Sequence, residues 1–110
     1  MKTAKRVNSD DSIFIYRKGN GGAFVSKSPA VVPSGGTFWM VNLTECKAEV
    51  TFPDKIVDPA EATLKANGAA QRFTVSGPKG YYEYDVELNC DRQTTQHVEA
   101  NSRPGVIIDG

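Results

Sequence analysis

The sequence predicts an all-β protein, a single β-sandwich of about seven or eight short strands. Three observations predict it. Short β-prone runs recur along the chain, separated by clusters of Gly, Pro, Asn and Asp. No run carries a convincing helical apolar period. The stretch after Gly80 alternates strictly, with Tyr82, Tyr84, Val86 and Leu88 on one side and Glu83, Asp85 and Glu87 on the other, the pattern of a strand with one buried and one wet face.

Each element follows from local chemistry. Residues 12–18 read as the first strand, ended by Gly19-Asn20-Gly21-Gly22, which supplies the positive φ values that a tight reversal needs. Residues 23–27 are its hairpin partner. Pro29 and Pro33 bar residues 28–33 from the middle of a sheet, because each proline removes a ladder donor; the segment suits an edge or a connecting arm. Ser34-Gly35-Gly36 then turns the chain into residues 37–43, which are apolar on both faces and predict a central strand, either covered on both sides or near a loop that folds over it. Residues 47–52 alternate again, with Ala48, Val50 and Phe52 inward and Lys47, Glu49 and Thr51 outward, until Pro53-Asp54 stops them. Between Asp58 and Asn67 one helical turn competes with a strand. The strand is favoured, because residues 71–75 follow at hairpin distance. The long alternating strand runs through Leu88 to Cys90; residues 91–101 read as a polar loop and residues 106–108 as the closing strand.

A chain of 110 residues makes one domain, residues 12–110, preceded by a flexible segment, residues 1–11. With 39% hydrophobic and 24% charged residues it has a core to bury. Thirteen basic residues balance thirteen acidic ones, so no net field draws it to nucleic acid or to an anionic membrane. Residues 1–11 are charged and lack an apolar run, so they read neither as a signal peptide nor as a membrane anchor. The cytoplasm is the expected compartment. A periplasmic or secreted location is the alternative, if a signal peptide has been removed.

Taken in order, the strand holding Trp39 and Asn42, the next one ending in Phe52, Leu64-Lys65-Ala66-Asn67-Gly68, Phe73-Thr74-Val75, Gly80-Tyr81-Tyr82-Glu83-Tyr84, a long loop and Gly105-Val106-Ile107-Ile108 resemble the later part of a cupredoxin, over residues 37–109. The resemblance implies a Greek-key sandwich. An immunoglobulin-like sandwich is the alternative, since a Gly-x-Tyr-x-Tyr stretch after a Phe-Thr-Val strand occurs there too. Cupredoxins hold copper through a Cys, two His and usually a Met, and the resemblance places those ligands near Cys46, Lys47 or Ala48, at Val86, near Asn89 and in the last loop. Met1 and Met40 are the methionines, and neither lies in that loop. The implied protein is therefore copper-less and is expected to carry no cofactor.

The same resemblance implies that Cys46 and Cys90 lie at one end of the sandwich. Three states are open to them. Two reduced thiols suit a cytosolic protein; a disulfide between Cys46 and Cys90 suits an oxidising compartment; and Cys46, Cys90 and His97 together would offer zinc or copper(I) three ligands. No Cys-x-x-Cys and no close His pair anchors the metal set, and a lone His in Thr94-Thr95-Gln96-His97 reads as a solvated loop residue.

Other constellations read as architecture. Glu83, Asp85 and Glu87 form a solvated stripe, expected to pair across strands with Lys47, Lys65, Arg72 or Lys79; calcium would want its Asp ligands clustered. Ser34-Gly35-Gly36 lacks the frame of a nucleophile elbow and Gly19-Asn20-Gly21-Gly22 lacks the helix of a phosphate loop, so no catalytic residue is assigned. Phe14, Phe38, Trp39 and Tyr81 would make a stacking platform for bases, but without a basic groove they read as packing. The function expected is that of a binding or structural module for a protein or a small-molecule ligand. A redox or metal-handling role for Cys46, Cys90 and His97 is the alternative, and an enzyme comes third.

Overall fold

The computed structural model describes residues 12–17, 23–89, 96–97 and 104–109, the pair 96–97 by its backbone alone. Residues 1–11 lie outside them. The fold is an all-β sandwich, as the sequence predicts. Its strands, among the described residues, are β1 Ser12–Arg17, β2 Ala23–Val25, β3 Ala30–Pro33, β4 Thr37–Asn42, β5 Lys47–Thr51, β6 Val57–Asp58, β7 Glu61–Leu64, β8 Ala70–Val75, β9 Gly80–Glu83, β10 Asp85–Asn89, β11 Gln96–His97 and β12 Gly105–Asp109. No helix among the described residues is long and apolar enough to cross a membrane.

The strands form three sheets: β2-β1-β4-β8-β6, β11-β10-β5-β7 and β3-β12-β9. β1 and β2 make the expected antiparallel hairpin, and β4 lies between β1 and β8, parallel to the first and antiparallel to the second. β3 pairs in parallel with β12 at the edge of the smallest sheet, where Pro33 costs least. Pro53 stops β5 by opening a 3-10 turn, Pro53–Lys55, in which Asp54 and Lys55 take φ of 50° and 52°.

The core lies between the sheets. Ile13, Ile15, Phe38, Met40, Phe73 and Val75 come to it from the five-stranded sheet, Ala48, Val50, Leu64, Val86 and Leu88 from the four-stranded one, and Val32, Val106 and Ile108 from the smallest. Four aromatic rings tie these layers together. Phe38 and Phe73, opposite each other on β4 and β8, stack at 5.3 Å between centroids; Phe52 meets Phe73 at 5.3 Å and Tyr84 at 4.5 Å. Such pairs add about 0.5–1.5 kcal/mol each beyond the area they bury.

Four sequence expectations need correction. Among the described residues the strands number twelve rather than seven or eight, because one run is divided between two sheets and because β3 and the two-residue strands β6 and β11 add to the count. The divided run is the long alternating strand: it breaks at Tyr84, whose N–H donates to Pro104 O at 3.0 Å, so that β9 pairs with β12 and β10 pairs with β5. The alternation survives the break, with Tyr84, Val86 and Leu88 buried and Tyr82 partly so. β7 and β8 are not a hairpin. β7 pairs with β5 and β8 with β4 and β6, so the Asn67-Gly68 turn is a crossing between sheets. It is pinned by Asn67 N–H to Thr44 O at 2.9 Å and Gly68 N–H to Asn42 O at 2.7 Å, with φ of 63° and 108° at the two positions. Last, Gln96 and His97 pair as β11 with Leu88 and Glu87, although the sequence reads the region as loop.

Candidate functional site

Two places merit attention, and the first is the end of the sandwich where the cysteines were expected. Asn42 closes β4 on its inward side and is fully buried. Its side-chain amide donates to the carbonyls of Cys46 at 2.8 Å, Leu64 at 3.0 Å and Lys65 at 3.1 Å. Its Oδ1 accepts from Thr44 N–H at 3.0 Å and from Thr44 Oγ1 at 2.7 Å. One side chain thus ties the end of β4 to the start of β5 and to the segment after β7. A buried polar group pays back only when so fully bonded, and this network leaves no amide hydrogen of Asn42 to reach a ligand.

Beside it, Cys46 is buried and disulfide-bonded. Arg17 approaches its Sγ at 3.8 Å and pairs with Glu45 at 3.4 Å. A sulfur held in a disulfide is not the thiolate that zinc or copper takes. Cys90 lies outside the described residues, and of His97 only the backbone is described. Among the described residues no group of three or more His, Cys, Asp or Glu side chains would hold a metal ion. The residues at the copper-ligand positions that the resemblance implies do not fit copper either: Ala48 and Val86 are buried hydrocarbon on neighbouring strands, and Asn89 carries an amide.

Tyr84 buries a polar atom as well. Its hydroxyl has no hydrogen-bond partner, and burial raises its pKa well above the ordinary 10.0. The ring lies against Phe52 within the core, and the hydroxyl oxygen is closed to solvent.

The second place is the outer face of the five-stranded sheet. Alternation puts Ile13, Ile15, Val25, Phe38 and Met40 inward, and it sends Phe14, Tyr16, Phe24, Trp39 and Val41 outward. Tyr16 lies opposite Phe24, with centroids 6.1 Å apart, and Phe14 lies opposite Val41. Trp39 lies between Ser12 on β1 and Arg72 on β8, and Arg72 donates to Thr37 Oγ1 at 3.3 Å. Phe14 is 38% exposed and Leu43, next after β4, is 53% exposed. The remaining ring-bearing positions of this face are half-buried. β4 is therefore central, fully buried on its inward side and half-buried on its outward side.

Of the four aromatic residues that the sequence grouped, the structure joins Phe14 and Trp39 on this face. It separates Phe38, which is core, and Tyr81, which sits on β9 of another sheet. Tyr16, Phe24 and Leu43 were missed. The signal was apolar residues in both phases of a strand: Ile13-Phe14-Ile15-Tyr16 for Tyr16, Ala23-Phe24-Val25 for Phe24 and Met40-Val41 before Leu43.

The outer face of the four-stranded sheet is different. Glu49, Glu61, Asp85 and Glu87 share it, with Glu87 opposite Glu49 and Asp85 opposite Thr51. Lys47 pairs with Glu49 at 3.8 Å, whereas Arg72 lies on the other sheet, so the expected cross-strand pairing of the acidic stripe with Arg72 does not form. No protein-family model matches the chain, and no curated protein matches it in sequence.

Proposed function

We propose that this chain is a copper-less, cupredoxin-like Greek-key sandwich that acts as a binding module, and that it binds a protein surface through the outer face of its five-stranded sheet. The observation that carries the reading is the placement of Phe14, Tyr16, Phe24, Trp39, Val41 and Leu43 on one side of β2, β1 and β4, where a sheet facing only water would be polar. Aromatic residues with an Arg at the border are the composition of binding hot spots. Among the described residues the face carries no cluster of cations, which speaks against nucleic acid, and no nucleophile paired with a base, which speaks against catalysis.

The redox or metal-handling alternative, built on Cys46, Cys90 and His97, is the weaker reading, because Cys46 is already oxidised. We assign Cys90 as its partner: it is the other of the chain's two cysteines, and in sequence it follows Asn89, which β10 pairs with Lys47, the residue after Cys46. A disulfide in turn favours an oxidising compartment, periplasmic or extracellular, over the cytoplasm that the charged first residues suggested.

The binding reading is tested by selecting displayed peptides against the folded chain and titrating each while following the emission of Trp39, the single tryptophan. The expected peptides shift that emission to the blue and lose at least about tenfold in affinity against Phe14→Ser, as removal of a hot-spot side chain does. Peptides that bind Phe14→Ser undiminished and leave Trp39 unchanged would overturn it.

A further inference from the structure

Resting on that reading, we infer that the protein surface received by the aromatic face is the same face of a second copy of this chain. Three features lead there. The first is a polarity built into the face. Its side chains run diagonally across β2, β1, β4 and β8 as Phe24, Tyr16, Phe14, Trp39 and Arg72, so one end is a pair of rings and the other is a cation. A two-fold axis lying between two such faces, across the diagonal, lays Arg72 of each copy over the Tyr16 and Phe24 rings of the other. That contact occurs twice, as an isologous pair requires, and it sets a guanidinium on the negative face of an aromatic ring. The second feature is charge. The chain is neutral, with thirteen cations and thirteen anions, so no net repulsion keeps copies apart. The third is the opposite surface. Glu49, Glu61, Asp85 and Glu87 share the outer face of the four-stranded sheet with Lys47, Thr51 and Thr63, so that face offers a second copy no apolar surface to bury. Self-association is thereby directed to the aromatic side.

Size sets the strength. Three strands of six residues and one of three, about 4.8 Å apart at about 3.3 Å per residue, give a face of about 330 Å². That is the size of an ordinary monomer's largest apolar patch and less than half of the roughly 800 Å² per partner in a standard interface. The pair is accordingly weak and reversible, which fits a face that must also remain soluble when single.

The experiment is sedimentation equilibrium of the full chain from about 1 μM to about 1 mM, the range in which so small an interface dissociates, together with amide chemical shifts followed on dilution. The expected result is a monomer–dimer equilibrium, with shifts confined to β1, β2, β4 and β8. Phe14→Ser and, separately, Arg72→Glu raise the dissociation constant at least about tenfold while leaving the far-ultraviolet circular dichroism and the unfolding midpoint unchanged. Both positions are exposed, and the second variant keeps the test decisive where the first alters folding. A monomer at every concentration overturns the inference; if selected peptides still bind the face, the binding reading stands without it. A dimer indifferent to both substitutions, or shifts confined to the acidic sheet, overturns the inference as well.

Discussion

Asn42 shows how one residue can hold an end of a sandwich. Replacing it by Leu strands the carbonyls of Cys46, Leu64 and Lys65, which its amide now satisfies, and each buried unsatisfied group costs about 1–3 kcal/mol. Asn42→Leu is therefore expected to lose at least about 3 kcal/mol in urea unfolding; a loss under about 1 kcal/mol would show that water replaces the amide. Tyr84 makes the opposite case. Its hydroxyl has no partner to lose, so Tyr84→Phe is expected within about 1 kcal/mol of the wild type. The two diverge with pH. Burial raises the phenol above its unfolded value of 10.0, so the folded state holds the proton more tightly than the unfolded chain. Its contribution is complete below pH 10.0 and is lost as pH rises beyond that. The wild type should thus lose stability more steeply above that pH than Tyr84→Phe, and parallel curves would contradict the assignment. Of these two, only Tyr84 was legible as core. Asn42 shares the inward phase of Phe38 and Met40, yet periodicity counts apolar residues and cannot say whether a polar one in that phase will find partners from β5 and β7.

At the level of elements, alternation within a strand was readable and the choice of sheet was not. The inward and outward residues of β5 and β10 follow directly from side chains pointing to opposite faces. Which neighbour a strand pairs with depends on contacts far away in sequence. The alternating run from Tyr82 to Leu88 serves two sheets because Pro104 takes the N–H of Tyr84, and nothing local announces a partner twenty residues on. The β7–β8 connection misled for a related reason: Asn67-Gly68 has hairpin chemistry, but its amides are taken by Asn42 and Thr44. The aromatic face was half legible, through Phe14 and Trp39. Tyr16 and Phe24 become neighbours only through the register of β1 and β2. A packing constraint between elements is testable at Gly77. Its N–H donates to Ile56 O at 2.9 Å, and a Cβ there would stand 2.7 Å from Ile56 Cβ and 2.9 Å from Ile56 Cα. Backbone cannot retreat as a flexible side chain can, so Gly77→Ala should cost about 1–3 kcal/mol, with the loss appearing first as faster amide exchange in β6. An unchanged midpoint would mean that the β8–β9 connection shifts freely.

For the molecule as a whole, the disulfide decides most. Small all-β folds depend on pairings between distant residues, and the order of entropy they must overcome grows with the loops they close. On the assigned pairing, the bond from Cys46 to Cys90 spans a loop of about 45 residues, which the chain-entropy account values at about 4 kcal/mol. Its Cys46 end is anchored in the Asn42 network of the β4–β5 connection. For a domain near 100 residues, 1 kcal/mol corresponds to about 4–8 °C in melting temperature. Reduction, or the Cys46→Ser and Cys90→Ser pair, should then lower the melting temperature by about 15–30 °C. The double variant should show no further change on adding reductant. Digestion without reduction should yield the Cys46 and Cys90 peptides as one linked species, and the denatured, unreduced protein should contain no titratable thiol. Two titratable thiols, or a melting temperature indifferent to reductant, would overturn the pairing. That outcome would free Cys46 to act as a thiolate beside Arg17, whose guanidinium lies 3.8 Å from the sulfur, and would restore the redox reading in place of the binding one.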